Sequence, residues 1–171
     1  MSLLPSILKE PESPADAAGI WLHGLGADGN DFVPIIPELK LPDSMAVRFV
    51  FPNAPSIPVT INGGYVMPAW YDITAMDIDR TIDTKQLVAS AEQVRALIGR
   101  EVDRGISSER IVLAGFSQGG AVAYQTALTH IFPLAGLLCL STYFATGDTL
   151  TPNTANGQIP IKVCHGTHDP M

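Results

Sequence analysis

Gly115-Phe116-Ser117-Gln118-Gly119 spells G-x-S-x-G, the pattern that raises a serine on a sharp strand-to-helix corner so that its hydroxyl can attack a carbonyl. The flanking residues suit such a corner. Arg110-Ile111-Val112-Leu113-Ala114 before it is β-branched and apolar, and the run from Gly120 to Leu128 after it favours helix. A residue at the corner takes a strained backbone. Strand and helix pass so closely there that positions 115 and 119 have a steric reason to be glycine. The helix also points its N-terminal N–H groups and positive dipole end to where an oxyanion would form. A plain serine in a glycine turn is the competing reading, and it needs neither the strand nor the helix.

A second glycine-rich stretch, His23-Gly24-Leu25-Gly26-Ala27-Asp28-Gly29, contains a literal G-x-G-x-x-G. Dinucleotide binding would require a helix opening within the glycines and an acidic residue ending the next strand. Pro34 and Pro37 limit any helix there, and the next strand runs into Phe51-Pro52-Asn53. The loop reads better as a partner of Ser117. Acyl transfer needs two N–H donors aimed at the oxyanion. One comes from the residue after the nucleophile, here Gln118; the other comes from a loop after an early strand, here Leu25. His23 is read as shaping that loop rather than moving protons.

The acid of a triad follows the serine in chain order and sits just past a strand end. Asp169, after the apolar run 159–165, meets both conditions; a solvated loop aspartate is the alternative. His165, His168 and Asp169 could also suggest a metal site, but no further ligand cluster completes one. Asp28, Asn30 and Asp31 lack calcium-loop spacing. The chemistry therefore calls for no metal and no organic cofactor. The base is the missing part, because only Pro170 and Met171 follow Asp169. His168 adjoins the acid, and His130 lies roughly three and a half helical turns beyond Ser117. No histidine can be assigned. The sequence is expected to be cut short, lacking a final strand, a histidine loop and a covering helix.

These residues need a scaffold, and the chain supplies one. At 171 residues, 46% hydrophobic and 16% charged, it suits a single globular domain over residues 1–171. A net charge of −7 argues against nucleic acid or an anionic membrane surface as partner. Nearly continuous apolar runs at 19–23, 46–51, 110–115, 134–140 and 159–165 read as parallel strands covered on both faces. Leu87, Ala91, Val94, Ile98 and Val102 mark a helix over 84–104, with Asp83 and Gln86 as an N-capping pair and Gly105 as its stop. Alternating strands and helices imply an α/β fold. Residues 52–79, rich in Pro, Gly and Asn yet carrying Ile57, Tyr65, Trp70 and Tyr71, form either a packed insertion or part of a binding surface. Cys139 and Cys164 are expected to be buried free thiols. No run has the length of a membrane span and no signal peptide is apparent, so a soluble, cytoplasmic protein is expected.

With these pieces placed, the chain resembles the phospholipase/carboxylesterase family of α/β-hydrolases, which includes acyl-protein thioesterases and small bacterial carboxylesterases. The resemblance rests on Trp21-Leu22-His23-Gly24-Leu25-Gly26, Phe51-Pro52-Asn53-Ala54-Pro55, Pro68-Ala69-Trp70-Tyr71-Asp72-Ile73, Gly115-Phe116-Ser117-Gln118-Gly119-Gly120-Ala121 and His165-Gly166-Thr167-His168-Asp169. Val59-Thr60-Ile61-Asn62-Gly63-Gly64-Tyr65 is similar to the bacterial carboxylesterase branch. The resemblance implies an α/β-hydrolase fold, a mostly parallel sheet with helices on both faces. It also implies Ser117 as nucleophile, Asp169 as acid, the Leu25 and Gln118 N–H groups as oxyanion hole, and Trp70 beside the acyl pocket. A small-molecule or lipid-like ester or thioester would be the substrate, and a homodimer is allowed, since related esterases often form one. Two competing readings stay open. One is an inactive remnant or binding module, with residues 1–171 poorly soluble and without turnover; the other is a transferase or lyase built on the same elbow.

Overall fold

The computed structural model describes residues 2–75 and 81–170. In chain order it comprises β1 (Ser6–Lys9), β2 (Ala17–Leu22), the single turn α1 (Ile35–Glu38), β3 (Val47–Pro52), β4 (Ser56–Val59), β5 (Tyr65–Pro68), β6 (Ile73–Ala75) and β7 (Thr81–Ile82). There follow α2 (Thr84–Asp103), β8 (Ile111–Phe116), α3 (Gln118–Thr129), β9 (Gly136–Leu140) and β10 (Ile161–Cys164). Six strands form one sheet in the order β1-β3-β2-β8-β9-β10. Only β1 is antiparallel to its neighbour; the other pairings are parallel. Leu22 pairs with Gly115, and Leu140 pairs with both Phe116 and Cys164. The loops after β2, β8, β9 and β10 therefore leave one edge of the sheet, the edge where open α/β sheets bind ligands.

Alternation along the strands builds two apolar layers. Ile20, Leu22, Val50, Leu113 and Cys139 face α2 and α3, where Leu87, Val94, Ile98 and Val122 meet them. Trp21, Phe49, Phe51 and Ala114 point the other way, against Phe32, Val33, Ile36 and Leu39 around α1. This second layer is the thinner one, and an apolar groove of about 350 Å³ lies open beside it, bordered by Leu41, Met45 and Val112.

The long helix α2 begins and ends where its capping residues allow. The Asp83 carboxylate accepts from Gln86 N at 3.0 Å. The pair is one-sided, however: Gln86 Oε1 accepts from Asp72 N at 2.7 Å and so ties α2 to the Trp70-Tyr71-Asp72 segment. At the other end Gly105 takes φ +98. Its N–H donates to Val102 O and that of Ile106 to Glu101 O, both at 3.0 Å, the paired bonds of a Schellman stop.

Several expectations need correction. β1 and the two small hairpins were not legible in the periodicity, so residues 52–75 are more regular than a loop; residues 76–79 lie outside the described residues. All four residues of β10, including Cys164, are exposed, although a strand covered on both faces was expected there. β10 is an edge strand paired only with β9, and neither core layer includes any of its side chains. Cys139 is buried as expected, and both thiols are free.

Two predictions follow from these contacts. Asp83→Ala removes the α2 cap and should cost about 1 kcal/mol in urea unfolding. Burial holds the imidazoles of His23 and His130 below their ordinary value of 6.5, and Arg95 adds to the effect at His130. The unfolded chain therefore binds more protons than the folded one once pH falls below that value. Stability should decline from about pH 6.5 downward, and His130→Gln should flatten the slope of urea midpoint against pH.

Candidate active site

Ser117 sits on the corner between β8 and α3 with φ 53 and ψ −120. Such a backbone costs a non-glycine residue about 1–3 kcal/mol, so its surroundings must hold it there. Ser117 N donates to Leu140 O at 3.0 Å, and its carbonyl accepts from Gly120 N at 3.0 Å and Thr142 Oγ at 2.6 Å. The side chain is half-buried. The glycines are sterically required. A Cβ on Gly115 would lie 2.5 Å from Gly119 O, one on Gly119 would lie 2.5 Å from Leu22 O, and one on Gly120 would strike Thr142. The Gly120–Thr142 contact escaped sequence reasoning; only the doubled glycine hinted at it.

Gln118 opens α3, so its N–H has no acceptor within the helix. The loop carrying Leu25 presses against the same corner. A Cβ on Gly24 would come 3.0 Å from the Phe116 ring and 3.6 Å from Ser117 Cβ. Gly26, at φ +75, donates to Pro68 O at 2.8 Å and fastens the loop to the end of β5. Leu25 itself is partly buried against the main core. The structure thus brings Ser117, Gln118 and Leu25 together at one edge.

His23 is a loop-shaping residue, as read from the sequence. Its Nδ1 lies 2.7 Å from Gly24 O, and its Nε2 lies 3.0 Å from Ala54 N. Since a carbonyl can only accept and an amide only donate, Nδ1 carries the proton and Nε2 accepts. Burial pushes its pKa down, against the pull of the Gly24 carbonyl and of Asp28 and Asp31, which keeps it in the neutral form this geometry requires.

Trp70 is buried, at 2% exposure. Its indole Nε1 donates to His23 O at 2.8 Å, and its ring is tilted against the imidazole at a centroid distance of 5.2 Å. Its backbone N–H donates to Gln118 Oε1 at 2.8 Å, while Gln118 Nε2 donates to Tyr71 O at 2.7 Å. This second task of Gln118 was missed in the sequence, where only its backbone N–H attracted attention. The Tyr71 hydroxyl in turn meets that of Tyr143, beyond β9, at 2.5 Å.

Asp169 is half-buried in the turn after β10, where its N–H donates to Gly166 O at 3.0 Å. Its carboxylate lies 3.7 Å from His165 Nε2. β10 is two strands away from β8, about 10 Å at the usual strand spacing, so Asp169 leaves the same edge of the sheet as Ser117. None of the four histidines is hydrogen-bonded to Ser117 among the described residues. His23 is committed to the loop, His130 ends α3 at its far side, His165 pairs with Asp169, and His168 contacts Thr167. Among the described residues no three His, Cys, Asp or Glu side chains cluster as a metal site would, and no helix is long and apolar enough to cross a membrane.

Comparison with known proteins places this geometry in a family. The model of the phospholipase/carboxylesterase family matches residues 5–171. A protein named acyl-protein thioesterase 1 from Gibberella zeae is 38% identical over 165 residues, covering 91% of this chain and 70% of that protein. Its namesake in Cryptococcus neoformans is 37% identical, covering 98% and 74%. Among solved structures, Arabidopsis thaliana SOBER1 superposes with a TM-score of 0.81 at 30% identity, covering 89% of this chain and 74% of its own. On the family match and these identities, the chain belongs to the phospholipase/carboxylesterase family of α/β-hydrolases.

Proposed function

We propose that this esterase- or thioesterase-type hydrolase works through an acyl-enzyme on Ser117. The observation that carries the reading is the Ser117 corner itself, at positive φ, with the Gly24-Leu25 loop packed onto it. Ser117 Oγ attacks the substrate carbonyl and loses its proton to a base. The carbonyl oxygen becomes an oxyanion that accepts from the Leu25 and Gln118 N–H groups. Collapse expels the alcohol or thiol, which takes the proton back from the base, and water then releases the acid by the same route. Asp169 is assigned the part of the acid that orients the base. Among the described residues no histidine is placed to serve Ser117, and the base is assigned to a histidine from outside them.

The proposed substrates are small or lipid-like carboxylic esters and thioesters. The relatives' names point to acyl thioesters, and the oxyanion hole serves both classes, because it grips the carbonyl oxygen that they share. The segment leading to Trp70 is proposed to line the acyl site, with the buried Trp70 ring behind it and out of reach of the substrate. One observation favours a second reading, an inactive binding module: among the described residues no histidine is hydrogen-bonded to Ser117.

Hydrolysis of a short-chain p-nitrophenyl ester by the product of the full reading frame, where the proposed base would be present, decides between the two readings. Ser117→Ala should lower kcat by about a million-fold, and a fluorophosphonate should label the parent protein but not the variant. Equal hydrolysis by both would remove Ser117 as nucleophile. Absence of both turnover and labelling in the parent would support the binding module.

A further inference from the structure

We infer that Trp70 is a positioning residue for oxyanion stabilisation, because its indole N–H holds the loop that carries the Leu25 amide while its backbone is tied to the Gln118 side chain through buried hydrogen bonds. This rests on the assignment of the Leu25 and Gln118 N–H groups in the proposed function.

The argument begins with the peptide plane. The Gly24 carbonyl and the Leu25 N–H belong to one planar trans unit, and no peptide bond is cis among the described residues. Whatever holds the Gly24 oxygen therefore sets the direction of the Leu25 N–H. His23 Nδ1 holds it at 2.7 Å, with Ala27 N donating more distantly at 3.3 Å, and the ring is itself held by Ala54 N at 3.0 Å. The preceding plane, containing the His23 carbonyl, is fixed by Trp70 Nε1 at 2.8 Å. Trp70 is fixed in turn: its own N–H meets Gln118 Oε1 at 2.8 Å, and its carbonyl accepts from Ser90 Oγ at 2.5 Å. The chain thus ends on the side chain of Gln118, while the Gln118 N–H shares a plane with the Ser117 carbonyl, which is held separately by Gly120 N at 3.0 Å and Thr142 Oγ at 2.6 Å.

His23, Trp70 and Gln118 are each at most 2% exposed, so water cannot substitute for a broken link. Hydrogen bonds in such surroundings are strengthened, and gaps in them are costly. Releasing the indole N–H would free the His23 plane to tilt and carry the Leu25 N–H away from the developing charge. A wall residue would touch the acyl chain and alter binding. A positioning residue acts in the transition state, so kcat should respond while KM stays put.

A shape-preserving replacement tests this. The chain has two tryptophans, and the indole nitrogen of Trp21 has no hydrogen-bond partner among the described residues. Replacing both with 3-benzothienylalanine, which puts sulfur where the N–H was, therefore removes one hydrogen bond, the one from Trp70 to His23. Deleting an oxyanion donor outright costs about 100-fold or more in kcat; loosening one should cost about 10-fold. The expected result is that loss with KM within about two-fold, and an equal weakening of a trifluoromethyl ketone that forms a tetrahedral adduct on Ser117. Trp70→Phe, assayed well below its unfolding temperature, should show the same split. Unchanged kcat, or a raised KM alone, overturns the inference. Ser117→Ala run alongside separates the failures. If it still hydrolyses the ester, the underlying acyl-enzyme reading falls; if it is silent while the benzothienyl protein keeps full kcat, only the role of Trp70 falls.

Discussion

The site depends on the contact of three backbones without side chains between them. The end of β2, the corner after β8 and the first turn of α3 meet where Gly115 faces Gly119 and Gly119 faces the Leu22 and His23 carbonyls. A methyl group at either glycine would have to displace main-chain atoms, and main chain inside a packed sheet does not yield by small rotations. This contact puts a serine, a helix N-terminus and a loop amide within one small volume. Everything else near the site either permits that approach or holds it in place.

Polar groups do the holding, and they are buried because apolar residues enclose them. Trp70 and Tyr71 belong to the same apolar layer as Leu87, Val94 and Val122. The carboxamide of Gln118 and the imidazole of His23 enter that layer only because each of their polar atoms has a partner. An unpaired amide at such depth costs about 1–3 kcal/mol. The network is therefore both specific and unforgiving, and it keeps His23 neutral because a protonated ring would turn Nε2 from acceptor to donor against the Ala54 N–H. The strain at Ser117 is sustained by the same enclosure.

Much of this was legible in the sequence where one residue has one physical reason. The elbow glycines, the run of α2 from Asp83 to Gly105 and the loop-shaping part of His23 fall in that class, since sterics, capping and a place at the head of the glycine-rich loop fix them locally. The chain was opaque where a residue has two tasks or where a neighbour decides. Gln118 was read through its N–H alone, and Gln86 was read as half of a closed capping pair although its side chain reaches Asp72. β10 has the composition of a buried strand, yet its exposure is set by what packs on it rather than by Ile161 or Val163. β1, with only four residues at the sheet border, is too short for periodicity to show.

Gln118 serves two masters, and this bears on how the family's loops can be traded. The residue whose amide opens α3 beside Ser117 also grips the Trp70-Tyr71 segment through its side chain. A segment grafted onto this scaffold from a relative arrives with its own spacing between that grip and the rest of the hairpin. Grafts that keep a backbone donor and acceptor opposite the Gln118 carboxamide would leave the serine corner undisturbed. Those that shift this pair by one residue would turn alternate groups toward it and unsettle the corner, however well their apolar side chains fit.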